Sequence, residues 1–430
     1  LYGQALSSVL LLESIDLPEK TSASLGISYL SANAGIQKLA KNKKSSWGID
    51  YDYTNLQLIY GIIKQTISYF HVPVLHEMDL NYRIKTSHSG MLKYYGYFNT
   101  SNLGFRYDDV DSAGLRNAFQ IKNFNTYQNL SWKERFGNGW KLTAGASYSN
   151  NHDNIHNQLE NSDNEKVPVL NNPAYDFKSF HVVNQGNYFN ARWTLEKNLS
   201  GLSAIRFGNE YQYSDEVSHY TGNNTVSDLR LKENLLASYL ESDIYITPKL
   251  ALRAGLRTEH SQLYNLWNIA PRTSLAWQFP DKGQVSFAYG IFYQDPSNKY
   301  LPAIQKLHFE KATHYILQYQ KMVDKRIIRV ETYYKKYNDL VKAVGNSTKF
   351  TAINNDGFGD AKGIEFFWRD RKSFQNFDYW VSYSYLDTRR NFLNYPYELK
   401  PPFAANHTAS IVTKTLILPM KMQINLSYTF

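Results

Sequence analysis

The stretch "GNGWKLTAGASYS" (Gly137–Ser149) decides how the rest of the chain is read. From Trp140 onward apolar side chains fall on every second residue: Trp140, Leu142, Ala144, Ala146 and Tyr148. Lys141, Thr143, Gly145, Ser147 and Ser149 fill the alternate positions. A period of two is a strand with one apolar and one polar face. The Gly-Asn-Gly before it is what a tight hairpin link needs.

The same alternation recurs along the chain. Leu250, Leu252, Ala254 and Leu256 oppose Ala251, Arg253, Gly255 and Arg257, and Ile364, Phe366 and Trp368 oppose Glu365, Phe367 and Arg369. The chain closes on "MKMQINLSYTF", apolar at Met420, Met422, Ile424, Leu426, Tyr428 and Phe430. Alternation alone fits a soluble sandwich or a wide barrel with its apolar face to lipid. Connection lengths separate them. Short links recur at 41–45, 87–90, 137–139, 200–201, 247–249, 280–283, 323–325, 374–376 and 419–420. Between them lie mostly longer polar stretches, such as Asn150–Lys178, Ser214–Asp228, Asp295–Glu310, Asp339–Gly359 and Asp387–Asn406. Short and long alternate, as in an outer-membrane barrel with tight periplasmic turns and long extracellular loops. A propeller would repeat a blade of fixed length, and no such repeat is present. The fold expected is all-β, an antiparallel transmembrane β-barrel with about 19 strands in this chain. Its first two strands fall near Thr21–Ser28 and Ser31–Leu39.

Composition agrees. No apolar run approaches the roughly 18–20 residues of a membrane helix. The 35 Tyr, 23 Phe and 8 Trp among 430 residues suit a membrane–water boundary, where a ring needs an apolar body and a polar tip. Cysteine is absent, which removes disulfides, zinc-thiolate sites, iron–sulfur clusters and cysteine nucleophiles. The net charge of +9 is spread along the strands, with "KLAKNKK" (Lys38–Lys44) the one dense run, so no nucleic-acid partner is expected.

Longer stretches carry a family likeness. "LYGQALSSVLLLESIDLPEKTSASLGIS" (Leu1–Ser28) resembles the junction at which the plug domain of a TonB-dependent outer-membrane receptor passes into its first barrel strand. "NIAPRTSLAWQF" (Asn268–Phe279) and "VSFAYGIFYQDPSNKYL" (Val285–Leu301) look like paired mid-barrel strands of that family. "EKATHYILQYQ" (Glu310–Gln320), "RVETYYKKYNDLVK" (Arg329–Lys342), "DGFGDAKGIEFFWRD" (Asp356–Asp370), "DYWVSYSYLDTRRNF" (Asp378–Phe392) and "PFAANHTASIV" (Pro402–Val412) resemble the strands and loop that follow. The "DAKGIEFFWRD" and "YSYLDT" variants are similar to members with an amino-terminal carboxypeptidase-regulatory-like domain.

The resemblance implies a barrel of 22 strands closed by a plug, in the Gram-negative outer membrane. It implies uptake of a scarce nutrient, such as an iron–siderophore complex, haem, cobalamin, a glycan or a peptide, driven through the TonB complex. The partners implied are outer-membrane lipid, that complex and an extracellular ligand, with no cofactor. A plugless porin and a surface adhesin are the alternatives. On this reading Leu1–Lys20 is the end of a plug and its linker, and 21–430 is barrel. The final strand follows a short link and so runs outward. Both ends are therefore expected to be cut, with the plug and TonB box before Leu1 and three strands beyond Phe430.

No nucleophile-elbow or zinc-protease motif is present, and an enzyme is not expected. "NNHDNIHNQLENSDNE" (Asn150–Glu165) gathers His152, Asp153, His156, Glu160, Asp163 and Glu165, yet lacks the ligand spacing of a calcium loop and reads as a solvated extracellular loop. Arg206, Glu210, Arg253, Arg257, Glu259, Arg329, Glu331, Glu365 and Arg369 lie on the polar faces of their strands. They are the candidates for lining the lumen and meeting the plug. Tyr107, Tyr220, Tyr264, Trp267, Tyr300, Tyr395 and Tyr397 are the candidate loop aromatics for substrate, because rigid rings give contact area at little entropic cost.

Overall fold

The computed structural model describes residues 3–7, 10–11, 13–86, 90–168, 178–222, 225–297, 307–346 and 349–430. Its nineteen strands form an antiparallel sheet. The first seven are β1 (Ser22–Ile27), β2 (Ser31–Leu39), β3 (Ser45–Asn55), β4 (Ser68–Lys85), β5 (Met91–Asp108), β6 (Arg116–Arg135) and β7 (Trp140–Glu160). Next come β8 (Phe180–Asn198), β9 (Ala204–Gly222), β10 (Val226–Thr247), β11 (Leu250–Ser261), β12 (Leu266–Gln278) and β13 (Gly283–Gln294). The last six are β14 (Glu310–Val323), β15 (Arg326–Asn346), β16 (Lys349–Asp370), β17 (Phe377–Asn391), β18 (His407–Ile417) and β19 (Met422–Thr429). One short helix, α1 (Gln57–Ile62), interrupts the link between β3 and β4. Each strand from β1 to β7 pairs with the next, and so does each from β11 to β19.

Eight of the nine short links stand where the residue types place them, and left-handed backbone closes most of these. Asn138 and Gly139 have φ of 58° and 74°, and Lys282, Asn376 and Lys421 lie at 66°, 60° and 48°. Between β14 and β15 only Asp324 and Lys325 intervene, at φ 53° and 64°, the two-residue hairpin whose twist matches its strands. Residues 87–89 of the second link lie outside the described residues.

The long links are shorter than the polar composition suggests. Asn150–Glu160 is the end of β7, paired residue for residue with β6 from Asn150↔Thr126 to Glu160↔Arg116. Likewise β9 runs to Gly222, β15 and β16 cover almost all of 339–359, and β17 ends at Asn391. Beyond the apolar band neither face of a hairpin has to be apolar, and residues such as Asn157 and Glu160 are buried among polar partners. The hydrophobic period then vanishes while the hydrogen-bond ladder continues, so the loss of alternation marks the edge of the band rather than the end of the strand.

Two compact units divide the chain. One holds residues 12–195 and 209–236, with β1–β7 intact; the other holds 1–11, 196–208 and 237–430, with β11–β19 intact. Strands β8, β9 and β10 contribute to both. In each unit the ladder puts unlike rows on the two faces. Across β11–β17 one row reads Leu252, Leu275, Phe287, Leu317, Thr332, Ile364 and Tyr385. Leu275, Phe287, Leu317, Ile364 and Tyr385 in it are exposed. The opposite face carries the row Gly255, Arg272, Gly290, His314, Lys335, Ala361 and Thr388. An apolar face this wide and uncovered is the signature of a surface made for lipid. The buried apolar clusters are small. Ala312, Tyr337, Leu340 and Ala361 pack with Leu6, Phe292, Leu386 and Phe392, and Leu307 and Val341 pack with Tyr264, Ile353 and Leu393.

Candidate functional site

The polar face of β11 carries Arg257 and Glu259 two residues apart, so both point the same way, and both are almost wholly buried. Arg257 Nε donates to Glu259 Oε1 at 2.7 Å. The second carboxylate oxygen accepts from Asn268 Nδ2 at 3.0 Å and from Gln4 Nε2 at 3.3 Å. The amino-terminal segment therefore lies on this face. Gln4 Oε1 accepts the backbone N–H of Asp295 at 2.8 Å, and the Leu6 carbonyl accepts from His314 Nε2 at 2.9 Å. Gly3 sits so close that a Cβ there would stand 1.9 Å from Glu259 Oε1.

In the other unit the polar face is sorted by charge. Asp50 faces Asp79 and Asp52 faces Glu77 directly across the β3–β4 ladder. Nearer the short links the same face carries Arg83, Lys85, Lys93, Lys133, Arg135 and Lys141. The amino-terminal segment lays its acids on this basic part: Lys133 Nζ meets Glu13 Oε1 and Lys93 Nζ meets Asp16 Oδ1, each at 2.8 Å. Lys93 Nζ also donates to the Ser14 carbonyl at 2.8 Å. A hydrogen bond and the charge of Lys133 hold the Glu13 carboxyl below its ordinary range, and Lys93 does the same for Asp16. A cavity of about 520 Å³ lies beside these contacts, lined by Asp16, Lys85, Lys133, Glu134, Arg135 and Lys141.

The remaining charged candidates make contacts within the sheet. Arg206 Nε donates to Glu196 Oε2 and its Nη1 to Asp243 Oδ2, both at 2.6 Å, and Arg253 Nε reaches the other Asp243 oxygen at 2.6 Å. Arg369 Nε donates to Asp378 Oδ1 at 3.0 Å, and its guanidinium lies over Trp380 at 5.2 Å. Arg329 lies over Phe367 at 5.7 Å. Glu210 accepts from Gln212, Glu331 accepts from Gln318, and Glu365 stands exposed directly across from Glu331. Of this set, Glu259 meets the amino-terminal segment directly, through Gln4.

The aromatic candidates divide. Tyr107, Tyr220 and Trp267 lie on β5, β9 and β12 rather than in loops. Tyr220 stacks on Phe180 at 6.1 Å, and Trp267 packs on His260 at 4.7 Å. Tyr264 and Tyr395 are in loops but packed, against Phe309 and Phe392 respectively. Tyr397 is a loop residue and well exposed. Tyr300 lies outside the described residues. In the acidic and histidine-rich stretch, His152 and His156 share one face of β7 while Asp153 takes the other, where it accepts from Asn151 Nδ2 at 2.9 Å. Near the outer links, Asp109 and Lys178 form an ion pair at 2.5 Å with both side chains largely buried, and Asn117 Nδ2 donates to Asp109 at 2.9 Å.

The sequence profile of the family described as TonB dependent receptor-like, beta-barrel matches residues 77–416. The chain belongs to this family. TonB-dependent receptors are a transporter and receptor family, not an enzymatic one. Solved structures share the fold. The ferric yersiniabactin uptake receptor FyuA from Yersinia pestis superposes with a TM-score of 0.71 at 12% identity, over 94% of this chain and 67% of that one. The pyoverdine outer membrane receptor FpvA from Pseudomonas aeruginosa gives 0.70 at 10% identity, over 96% and 70%. The outer membrane transporter YddB from Escherichia coli gives 0.66 at 11%, over 93% of this chain and 63% of its own length. The chain thus spans about two thirds of these receptors. No curated protein matches the sequence.

Membership gives the two faces their meaning. The apolar rows match the lipid side of a receptor barrel, and the charged rows on the opposite face carry residues 3–6 and 13–16. Sequence reasoning found Arg257 and Glu259 but missed their partners Gly3 and Gln4, and it missed Lys93 and Lys133. The two lysines sit on the polar face by the same alternation that selected the arginines.

Proposed function

We propose that the protein carries out TonB-dependent uptake of a scarce nutrient across the outer membrane. Substrate would bind on the extracellular side, and movement of polypeptide within the lumen would open the path. The observation that carries this reading is the amino-terminal segment. In a chain of this family, residues 3–6 and 13–16 lie along the charged face of the barrel through named ion pairs and hydrogen bonds. A lumen that binds polypeptide favours a gated receptor over a passive pore. On this reading Leu1–Lys20 is the end of a plug with its linker and the rest is barrel. The family supports a TonB partner and an extracellular ligand. The likeness to FyuA, a ferric yersiniabactin uptake receptor, makes ferric siderophores the first cargo to try.

The test is growth of a deletion strain on single sources of iron–siderophore, haem, cobalamin, glycan or peptide. A defect on one source, restored by the gene, is the expected result. Normal growth on every source, with loss of surface attachment instead, would replace uptake by adhesion.

A further inference from the structure

Among the described residues no carboxylate pairs with Arg272, on the charged face of β12. Arg272 of β12 and His314 of β14 flank Gly290 of β13 in the ladder, so the three form one row. Phe292, two residues along on the same face, folds its ring back over the bare Gly290. The Arg272 guanidinium lies 4.4 Å from its centroid and the His314 ring 4.6 Å. Gly290 is what permits this stack, since a Cβ there would stand 2.9 Å from Phe292 Cε2 and 3.3 Å from Arg272 Cγ. Arg272 Nε is shut off from solvent without a hydrogen-bond partner, and among the described residues no carboxylate pairs with this guanidinium. The acids nearest in the sheet are committed elsewhere, Glu241 to Arg206 and Arg253, and Glu259 to Arg257, Asn268 and Gln4. Beside the stack is a cavity of about 180 Å³, lined by Ser274, Ala288, Gly290, Arg253 and Glu241 as well as by the stacked groups, with the Glu241 carboxylate turned to Arg206 and Arg253.

A buried donor left unmade costs about 1–3 kcal/mol, so such a group persists where something else satisfies it. A guanidinium packed against a ring keeps its in-plane N–H edge for a partner, and that edge binds a carboxylate in two parallel hydrogen bonds. Small side chains at Ser274, Ala288 and Gly290 leave room for that planar group. We propose that this cavity is a carboxylate-binding site in the lumen wall, with Arg272 as its anchor. The carboxylate comes either from a free solute or from an Asp or Glu of polypeptide lying in the lumen, where the Leu6 carbonyl already reaches the cavity rim at His314. The proposal does not depend on which nutrient is taken up.

The experiment measures the unfolding midpoint of the 430-residue chain, refolded in detergent, in sodium acetate and in sodium chloride at equal ionic strength. Acetate raises the midpoint over chloride by about 2 °C or more in the unaltered chain. R272Q removes the difference and R272K keeps only part of it. A288L, which fills the cavity and leaves Arg272 in place, also removes it, and so guards against an R272Q chain that fails to refold. An equal response to both salts, or an acetate response that survives R272Q and A288L, overturns the proposal. The source follows from two further arms. Saturable succinate or citrate binding far tighter than acetate assigns the site to a solute. A weak acetate response that disappears in the whole protein as it occurs in the cell assigns it to a polypeptide side chain already in place.

Discussion

Gly3 lies directly against the buried Glu259–Arg257 pair: a Cβ there would stand 1.9 Å from the carboxylate oxygen that holds Arg257. Gly3→Ala must therefore move the segment or break a buried ion pair. The expected outcome is release of the amino-terminal segment with the barrel intact. Limited proteolysis should cut within the first twenty residues faster in the variant, while the unfolding midpoint of the strands stays within the error of the unaltered chain.

Glu259→Gln tests the other side of the same contact. It leaves the Arg257 charge buried beside a neutral amide, a change that costs about 3–5 kcal/mol when one partner of a buried pair is removed. The denaturant midpoint of the refolded chain should fall accordingly. A loss below about 1 kcal/mol would mean that the pair is solvated and that the segment does not seal it.

The Glu13–Lys133 contact is exposed, so its effect is small and sensitive to salt. Glu13→Lys and Lys133→Glu should each loosen residues 13–16 in low salt, and the double exchange should restore them. Hydrogen exchange of these amides reads the effect, which should vanish in about 1 M salt, where the screening length is about 3 Å.

Asp109 and Lys178 give a pH window for the outer links. Burial raises the Asp109 carboxyl, but the bonds from Lys178 and Asn117 outweigh it and hold the group below its ordinary range. Burial lowers the Lys178 ammonium, and its bonds to Asp109 and Asp111 outweigh that and raise it. A depressed acid contributes stability above its unfolded value of about 3.9 and loses it as pH falls through the folded value. A raised lysine contributes fully below about 10.4 and loses it as pH climbs through the folded value. Protection of residues 109–117 from exchange, corrected for the intrinsic rate, should be flat between these limits and collapse outside them. Asp109→Asn should remove the acid edge and weaken the alkaline one, which Asp111 still supports.

How far the sequence reveals the molecule depends on which face a residue serves. Trp140–Tyr148 betrays its strand because lipid demands an apolar residue at every second place, and the nine short links betray themselves through turn chemistry. Asn150–Glu160 is equally a strand, yet only Ile155 and Leu159 in it are apolar, four residues apart and on one face, so no period of two marks it. The polar face was legible as a list of charges at Arg206, Arg253, Arg257, Glu259 and Arg369. Which of them hold one another and which hold residues 3–16 was not. That depends on pairing across the ladder and on a glycine, Gly3, whose importance is the absence of a side chain. Arg272 escaped notice for a related reason, since its isolation is set by neighbours on three other strands.

The central claim is that this barrel serves energy-coupled uptake, and TonB dependence is its most direct test. The measurement is accumulation of the cargo found in the growth screen, in cells with and without an active TonB complex, each with and without the gene. The account predicts accumulation only where both are present, with surface binding surviving loss of TonB. Accumulation that needs the gene but proceeds equally without TonB would contradict it and make the protein a passive channel.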